Sequence, residues 1–168
     1  MTNSLSIRLA QQSDLLPIMN LVSQAVAIML AEGNEQWDHQ YPVREDFLQD
    51  IQQQSLYICE QNEAILGFIC LNQSEHPDYH ALNWSSDESS LIIHRMLVSP
   101  QVRRQGIGSC LMNFAEDLAL MRGLHSIRTD TYSVNEKMKG LFNKYGYHMV
   151  GHLDFGKPRL FIAYEKNL

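Results

Sequence analysis

The sequence predicts a single α/β domain spanning residues 1–168, and three observations carry that prediction. Short runs rich in β-branched residues alternate with longer stretches whose apolar residues recur at three- and four-residue spacing. Glycine or proline stands where one period gives way to the other, as at Gly33, Pro100, Gly123 and Gly146. A length of 168 residues with 45% hydrophobic content suits one full core.

The alternation Leu5 to Leu9 predicts a half-buried first strand. Ser13 and Asp14 then open a helix with Leu15, Ile18, Val22, Ala25 and Met29 on one face, and Pro17 is tolerated in its first turn. Gly33 and Asn34 end it. The segment from Gln36 to Pro42 carries Trp37 and Tyr41 outside any period. Large aromatics so placed either plug the edge of the core or wall a binding pocket. Val43 to Gln53 predicts a shorter helix burying Phe47, Leu48 and Ile51. Leu56 to Glu60 and Ala64 to Leu71 flank a polar turn as a hairpin, with Gly67 marking a bulge in its second strand. Asn72 to Ser90, polar and rich in Ser and Asp, predicts a long mobile loop. Its His76 and His80 are four apart, but Pro77 argues against a helix and no further ligand completes a set, so no metal site is expected.

The stretch Leu91 to Arg122 holds the most information. Leu91 to Val98 predicts a buried strand stopped by Pro100, and from Ile107 a helix follows with Leu111, Phe114, Leu118 and Met121 on its apolar face and Gly123 as its cap. Between them, Arg103-Arg104-Gln105-Gly106-Ile107-Gly108-Ser109 lets the backbone approach a ligand and leaves the first helical N–H groups free. Such an end, with a dipole and two arginines, suits a phosphate or pyrophosphate; a plain structural turn is the other reading. It is neither a Walker loop nor a dinucleotide fingerprint, because Gly-Lys-Ser/Thr is missing and Leu111 stands where a small residue is needed. Ser126 to Tyr132 then predicts a strand, Asn135 to Tyr145 a helix capped by Gly146, and Tyr147 to Leu153 with Leu160 to Glu165 a closing antiparallel pair.

A net charge of −6 without a block of Lys or Arg speaks against a nucleic-acid surface or an anionic membrane. No signal-like N-terminus and no apolar run near the length of a bilayer span is read in the chain, so a cytoplasmic protein is expected. Cys59, Cys70 and Cys110 show no paired spacing and are expected to be reduced and buried.

The central stretch resembles the acetyl-CoA-binding motif of the GNAT N-acetyltransferase superfamily, Arg/Gln-x-x-Gly-x-Gly/Ala after a strand ending in Val-x-Pro. Arg103, Gly106 and Gly108 hold the defining positions, with Val98 and Pro100 before them. The order of elements resembles that family over nearly the whole chain. It implies a mixed, mostly antiparallel sheet of about seven strands with helices on both faces. It also implies acetyl-CoA as cofactor, held by the backbone of Met96, Leu97 and Val98 and by Arg103 to Ser109. Asn135 matches a family Asn that contacts the cofactor, and it also reads as a helix cap.

His94, on the central strand just before the thioester-binding positions, is the candidate base; a hydrogen-bonded core histidine is the alternative. Arg95 either pairs with Asp130 on the neighbouring strand or holds a substrate carboxylate. The chain departs from the family at Phe142, where a tyrosine that protonates the leaving thiolate is common, and Tyr145 is the candidate substitute. The resemblance implies acetyl transfer to the amine of a small molecule or peptide, with Trp37 and Tyr41 near the acceptor, and a homodimer is compatible with it. A CoA-binding module with little turnover, a sensor or partner subunit, is the alternative that the missing tyrosine raises.

Overall fold

The computed structural model describes residues 4–168. Seven strands form one sheet: β1 (Ser6–Leu9), β2 (Leu56–Gln61), β3 (Ala64–Asn72), β4 (Leu91–Val98), β5 (Ser126–Tyr132), β6 (His148–Leu153) and β7 (Phe161–Asn167). Their spatial order is β1-β2-β3-β4-β5-β7-β6, antiparallel throughout except for the parallel pair β4–β5. The expected mixed, mostly antiparallel sheet is present, with helices on both faces.

Helix α1 (Leu15–Ala31) and helix α2 (Arg44–Gln52) cover one face, burying Ile18, Val22 and Phe47 against Leu56, Ile58, Phe68 and Leu97. Helices α3 (Ile107–Met121) and α4 (Glu136–Lys144) cover the other, where Leu111, Ala115 and Phe142 meet Ile69, Leu71, Ile93 and Ile127. The alternating pleat of β4 supplies both faces, Ile93 to one and Ile92 to the other. Contrary to the reading that no apolar run approaches a bilayer span, the 20-residue helical stretch Gln12–Ala31 is long and apolar enough to cross one. In the fold its stripe of Leu15, Ile18, Val22, Ala25 and Val26 is core.

Two expectations about the core need correction. The buried stripe of α3 runs Ile107, Leu111, Met112, Ala115 and Ala119, not through Met121, which is 82% exposed. Small alanines let the helix lie close to the sheet, so the larger residues one position away sit at its margin. The segment 72–90 is no loose loop either. It includes a 3-10 turn at Pro77–Ala81, whose Tyr79 is buried with Ile92, Tyr132 and Phe161. Trp84 Nε1 donates to the Tyr79 carbonyl at 2.8 Å, and the Arg128 guanidinium lies 4.6 Å from the Trp84 ring centroid while pairing with Glu75. Aromatics hidden among polar residues pin the segment to the sheet.

Two irregularities shape the middle of the sheet. Between β2 and β3 the register shifts beside Gly67, as expected; a Cβ there would stand 2.6 Å from the Leu97 carbonyl oxygen, so only glycine allows this approach. On β4, Met96 lies opposite Ile69 and Ile93 opposite Leu71, so one extra residue bulges out at His94–Arg95. The pairing of β4 with β5 ends at Ile93 and Thr129. Beyond that point the strands part, and the edge of 94–98 that faces β5 has no strand partner among the described residues.

Candidate active site

The parted strands open a cleft of about 680 Å³. At one end it is lined by Met96, Leu97 and Val98 of β4 and by Arg103, Arg104, Gly106, Ile107, Gly108 and Ser109 of the turn into α3. Gly106 is left-handed at φ +81°, and Arg104 also takes a positive φ of 64°, so the backbone doubles back and starts the helix abruptly. The first intrahelical bond recorded there runs from Cys110 N to Gly106 O, which leaves the N–H groups of Ile107, Gly108 and Ser109 available. Neither Arg103 nor Arg104 makes an ion pair or hydrogen bond among the described residues, so both charges are uncommitted. Lys144, unforeseen in the sequence, lines the same end and donates to Ser109 Oγ at 3.3 Å. Gln105 is exposed and outside the lining.

The helix-start Asn135 lines the cleft and caps α4, its Oδ1 accepting from Met138 N at 3.3 Å. Its amide donates to Gln36 Oε1 at 2.8 Å rather than standing free. Gln36 also accepts from Thr131 Oγ1 at 3.2 Å, tying the α1–α2 connection to β5. Trp37 is 6% exposed, parallel to Phe68 with centroids 6.5 Å apart, and still lines the cleft, so it is core plug and pocket wall at once.

His94 lines the cleft from the bulge of β4. Its Nε2 lies 2.6 Å from Asn72 Oδ1, which also accepts from Ser74 N at 2.9 Å. The backbone N–H can bond only to the amide oxygen, so the Asn72 atom facing the ring is an acceptor and Nε2 carries the proton. The lone pair of the neutral ring is then on Nδ1. Surrounding protein and, next, the Arg95 guanidinium lower the imidazole to about 4, so it is unprotonated near neutral pH.

Arg95 and Tyr41 are not in the cleft lining. The expected pair of Arg95 with Asp130 does not form. Arg95 instead grips buried Asp50 on α2, with Nε donating to Oδ2 at 2.8 Å and Nη2 to Oδ1 at 2.5 Å, and Nη1 donates to the Tyr41 hydroxyl at 2.9 Å. The bulge turns Arg95 toward α2, away from β5. Asp130 lines the cleft and accepts from the Tyr79 hydroxyl at 2.6 Å. Phe142 lines the cleft, packed on Tyr147 and Tyr164. Tyr145 lies outside it; the hydroxyl donates to the Ser109 carbonyl at 3.0 Å, across the α3–α4 contact. Tyr145 caps the end of α4 and is turned to its flank, so its hydroxyl is engaged by the α3 backbone and not directed into the cleft. Cys59 and Cys70 are buried free thiols, pushed up to about 12 and about 11 chiefly by burial, and Cys110 is half-buried.

A sheet split between two parallel strands, with a helix N-terminus and free arginines at one end and a neutral histidine further in, suits an elongated phosphate-bearing ligand. The sequence profile of the acetyltransferase (GNAT) family matches residues 23–147, and the chain belongs to that family. A Staphylococcus aureus Mu50 structure described as a "putative acetyltransferase" is 36% identical, covers 96% of this chain and 97% of its own, and superposes with a TM-score of 0.76. A Salmonella typhimurium protein solved with its cofactor acetyl-CoA shares the fold at 16% identity, with 99% and 95% of the two chains covered and a TM-score of 0.72. "Probable N-acetyltransferase 14" of Xenopus tropicalis is 37% identical over 71 residues, which is 42% of this chain; the match spans about a third (34%) of that relative's length.

Proposed function

We propose that the protein transfers the acetyl group of acetyl-CoA to the primary amine of a small molecule or peptide, with His94 as the proton acceptor. The observation that carries this reading is the parting of β4 and β5 after Ile93 and Thr129, which places an unpartnered strand edge between the glycine turn and His94. The fit to the cofactor rests on that edge, on the free N–H groups of 107–109 and on the uncommitted Arg103 and Arg104. Bound acetyl-CoA supplies an activated thioester. The chain supplies backbone N–H donors from 96–98, charge at the phosphate end, and Trp37 and Met138 as apolar walls. His94 Nδ1 takes the proton that an amine sheds as it attacks, and Asn72 holds the tautomer that makes this lone pair available.

Neither Phe142 nor Tyr145 offers a hydroxyl in the cleft, so the thiolate leaves without a tyrosine acid. An alkyl thiol of pKa near about 8.5 is a fair leaving group. Three free cysteines suit a reducing compartment, and we place the reaction in the cytoplasm. Thiol release measured with acetyl-CoA and a panel of primary amines tests the proposal. Amine-dependent release with a matching acetylated product is the expected result; acetyl-CoA binding without release from any amine would favour a binding module instead.

A further inference from the structure

Two carboxylates line the cleft, and they differ in what they touch. Glu32, at the rim, pairs with Lys137 at 3.2 Å. Asp130 has no ion pair among the described residues, and its hydrogen bond is from the Tyr79 hydroxyl to Oδ2 at 2.6 Å. Tyr79 is 2% exposed and fixed in the third core cluster, so this donor is built in and holds the carboxylate in one orientation. His76 acts on Asp130 only through its charge; it is an exposed ring that faces Asp78 at 3.7 Å and accepts from the Asp78 N–H. Oδ1 therefore has no hydrogen-bond partner among the described residues.

Its position matters as much as its valence. Asp130 follows Thr129 on β5 as His94 follows Ile93 on β4, so the two side chains leave the sheet where the strands begin to part. The neighbouring polar groups are already used, since Thr131 and Asn135 both donate to Gln36. Burial raises the Asp130 carboxyl above its ordinary value while the Tyr79 hydroxyl opposes that rise, so a cation brought beside Oδ1 would favour the charged form.

We propose that Asp130, oriented by Tyr79, binds a cationic group of the acceptor that is not the one acetylated, so that the acceptor class is an amine bearing a second positive charge. A carboxylate beside the reacting nitrogen would favour its protonated form and oppose attack, whereas a carboxylate holding a second cation positions the free amine without that conflict. This inference rests on the acetyltransferase reading. It is tested by titrating acetyl-CoA into the protein, and 1,4-diaminobutane into the CoA-saturated protein, for wild type and Asp130→Asn. Expected is equal acetyl-CoA affinity for both, with diamine affinity at least tenfold weaker in the variant. In the wild type, 1,4-diaminobutane should be acetylated at least tenfold more efficiently than n-butylamine in kcat/KM. Diamine binding that is absent, or equal in both proteins, overturns the assignment and leaves the acetyltransferase reading standing. Should Asp130→Asn fail to fold, a wild-type efficiency ratio near one overturns it as well. A wild type that does not bind acetyl-CoA removes both readings.

Discussion

The two ends of the cleft are built differently. The phosphate end comes mainly from one stretch of chain, 96–109, with Lys144 added from α4, and relies on backbone N–H groups and on arginines that make no ion pair or hydrogen bond among the described residues. The other end is lined by Gln36, Trp37, His94 and Asp130, residues far apart in sequence, with His94 held by Asn72, Asp130 by Tyr79 and Gln36 by Thr131 and Asn135. Polyphosphate is held by charge and by any free N–H, so that end tolerates loose side chains. Proton transfer needs one nitrogen with one tautomer in one place, so the other end is locked by hydrogen bonds. Changes at the phosphate end should therefore alter acetyl-CoA affinity, and changes at the other end should leave that affinity intact and alter the rate or the binding of the acceptor.

The largest effect is expected from Gly108→Glu. A Cβ at 108 would meet Leu141 at 3.6 Å and Val98 at 3.8 Å, ordinary contacts, so the fold accepts a side chain there. A carboxylate in place of free space at the helix N-terminus should cut acetyl-CoA affinity by on the order of 10²-fold or more through repulsion of phosphate. A calorimetric affinity equal to wild type would break the comparison at its phosphate end.

His94→Ala should lower the rate by about 10²-fold or more while leaving acetyl-CoA affinity within about twofold. Steady-state rates alongside binding isotherms separate these, and a variant that keeps wild-type turnover would remove the base. Asn72→Ala should reproduce part of the loss, because the ring then has no fixed tautomer.

How far the sequence reached follows the same division. The β4–α3 stretch was legible because strand, glycines, arginines and helix are contiguous, and local rules of period and turn chemistry describe it. Trp37 was legible only as two competing roles that the fold reconciles. The partner of Arg95 was not, because one extra residue at His94–Arg95 redirects the side chain to Asp50, and a bulge leaves no trace in an apolar run. Tyr79 hid in a polar segment, and its bond to Asp130 spans 51 positions. The place of Tyr145 was not legible either, because the end of α4 carries it to the α3 contact, outside the cleft. Within α3, period alone could not say whether Phe114 or Ala115 faces the sheet.

Smaller effects sharpen the contrast. Replacing Arg103 and Arg104 together by Ala should weaken acetyl-CoA by about tenfold, with the deficit shrinking in high salt because exposed charges are screened. Tyr145→Phe should change turnover less than about twofold and lower stability by about 1 kcal/mol, the worth of one hydrogen bond; a steep loss of rate would return it to the chemistry. The pH dependence gives the mildest signal. With His94 at about 4 in the fold and about 6.5 when unfolded, the unfolded chain binds more protons between those values. That histidine's contribution to stability is thus full above about pH 6.5 and lost as pH falls toward about 4. Likewise, kcat/KM should show no His94 limb near 6.5, and a base titrating there would contradict the neutral, hydrogen-bonded ring.

The central claim is that the split between β4 and β5 is an acetyl-CoA site. Titration calorimetry of acetyl-CoA into the wild-type protein tests it most directly. The account predicts saturable binding of one molecule per chain in the micromolar range, about −8 kcal/mol. No saturable heat at acetyl-CoA concentrations on the order of 1 mM, corresponding to weaker than about −4 kcal/mol, would contradict it.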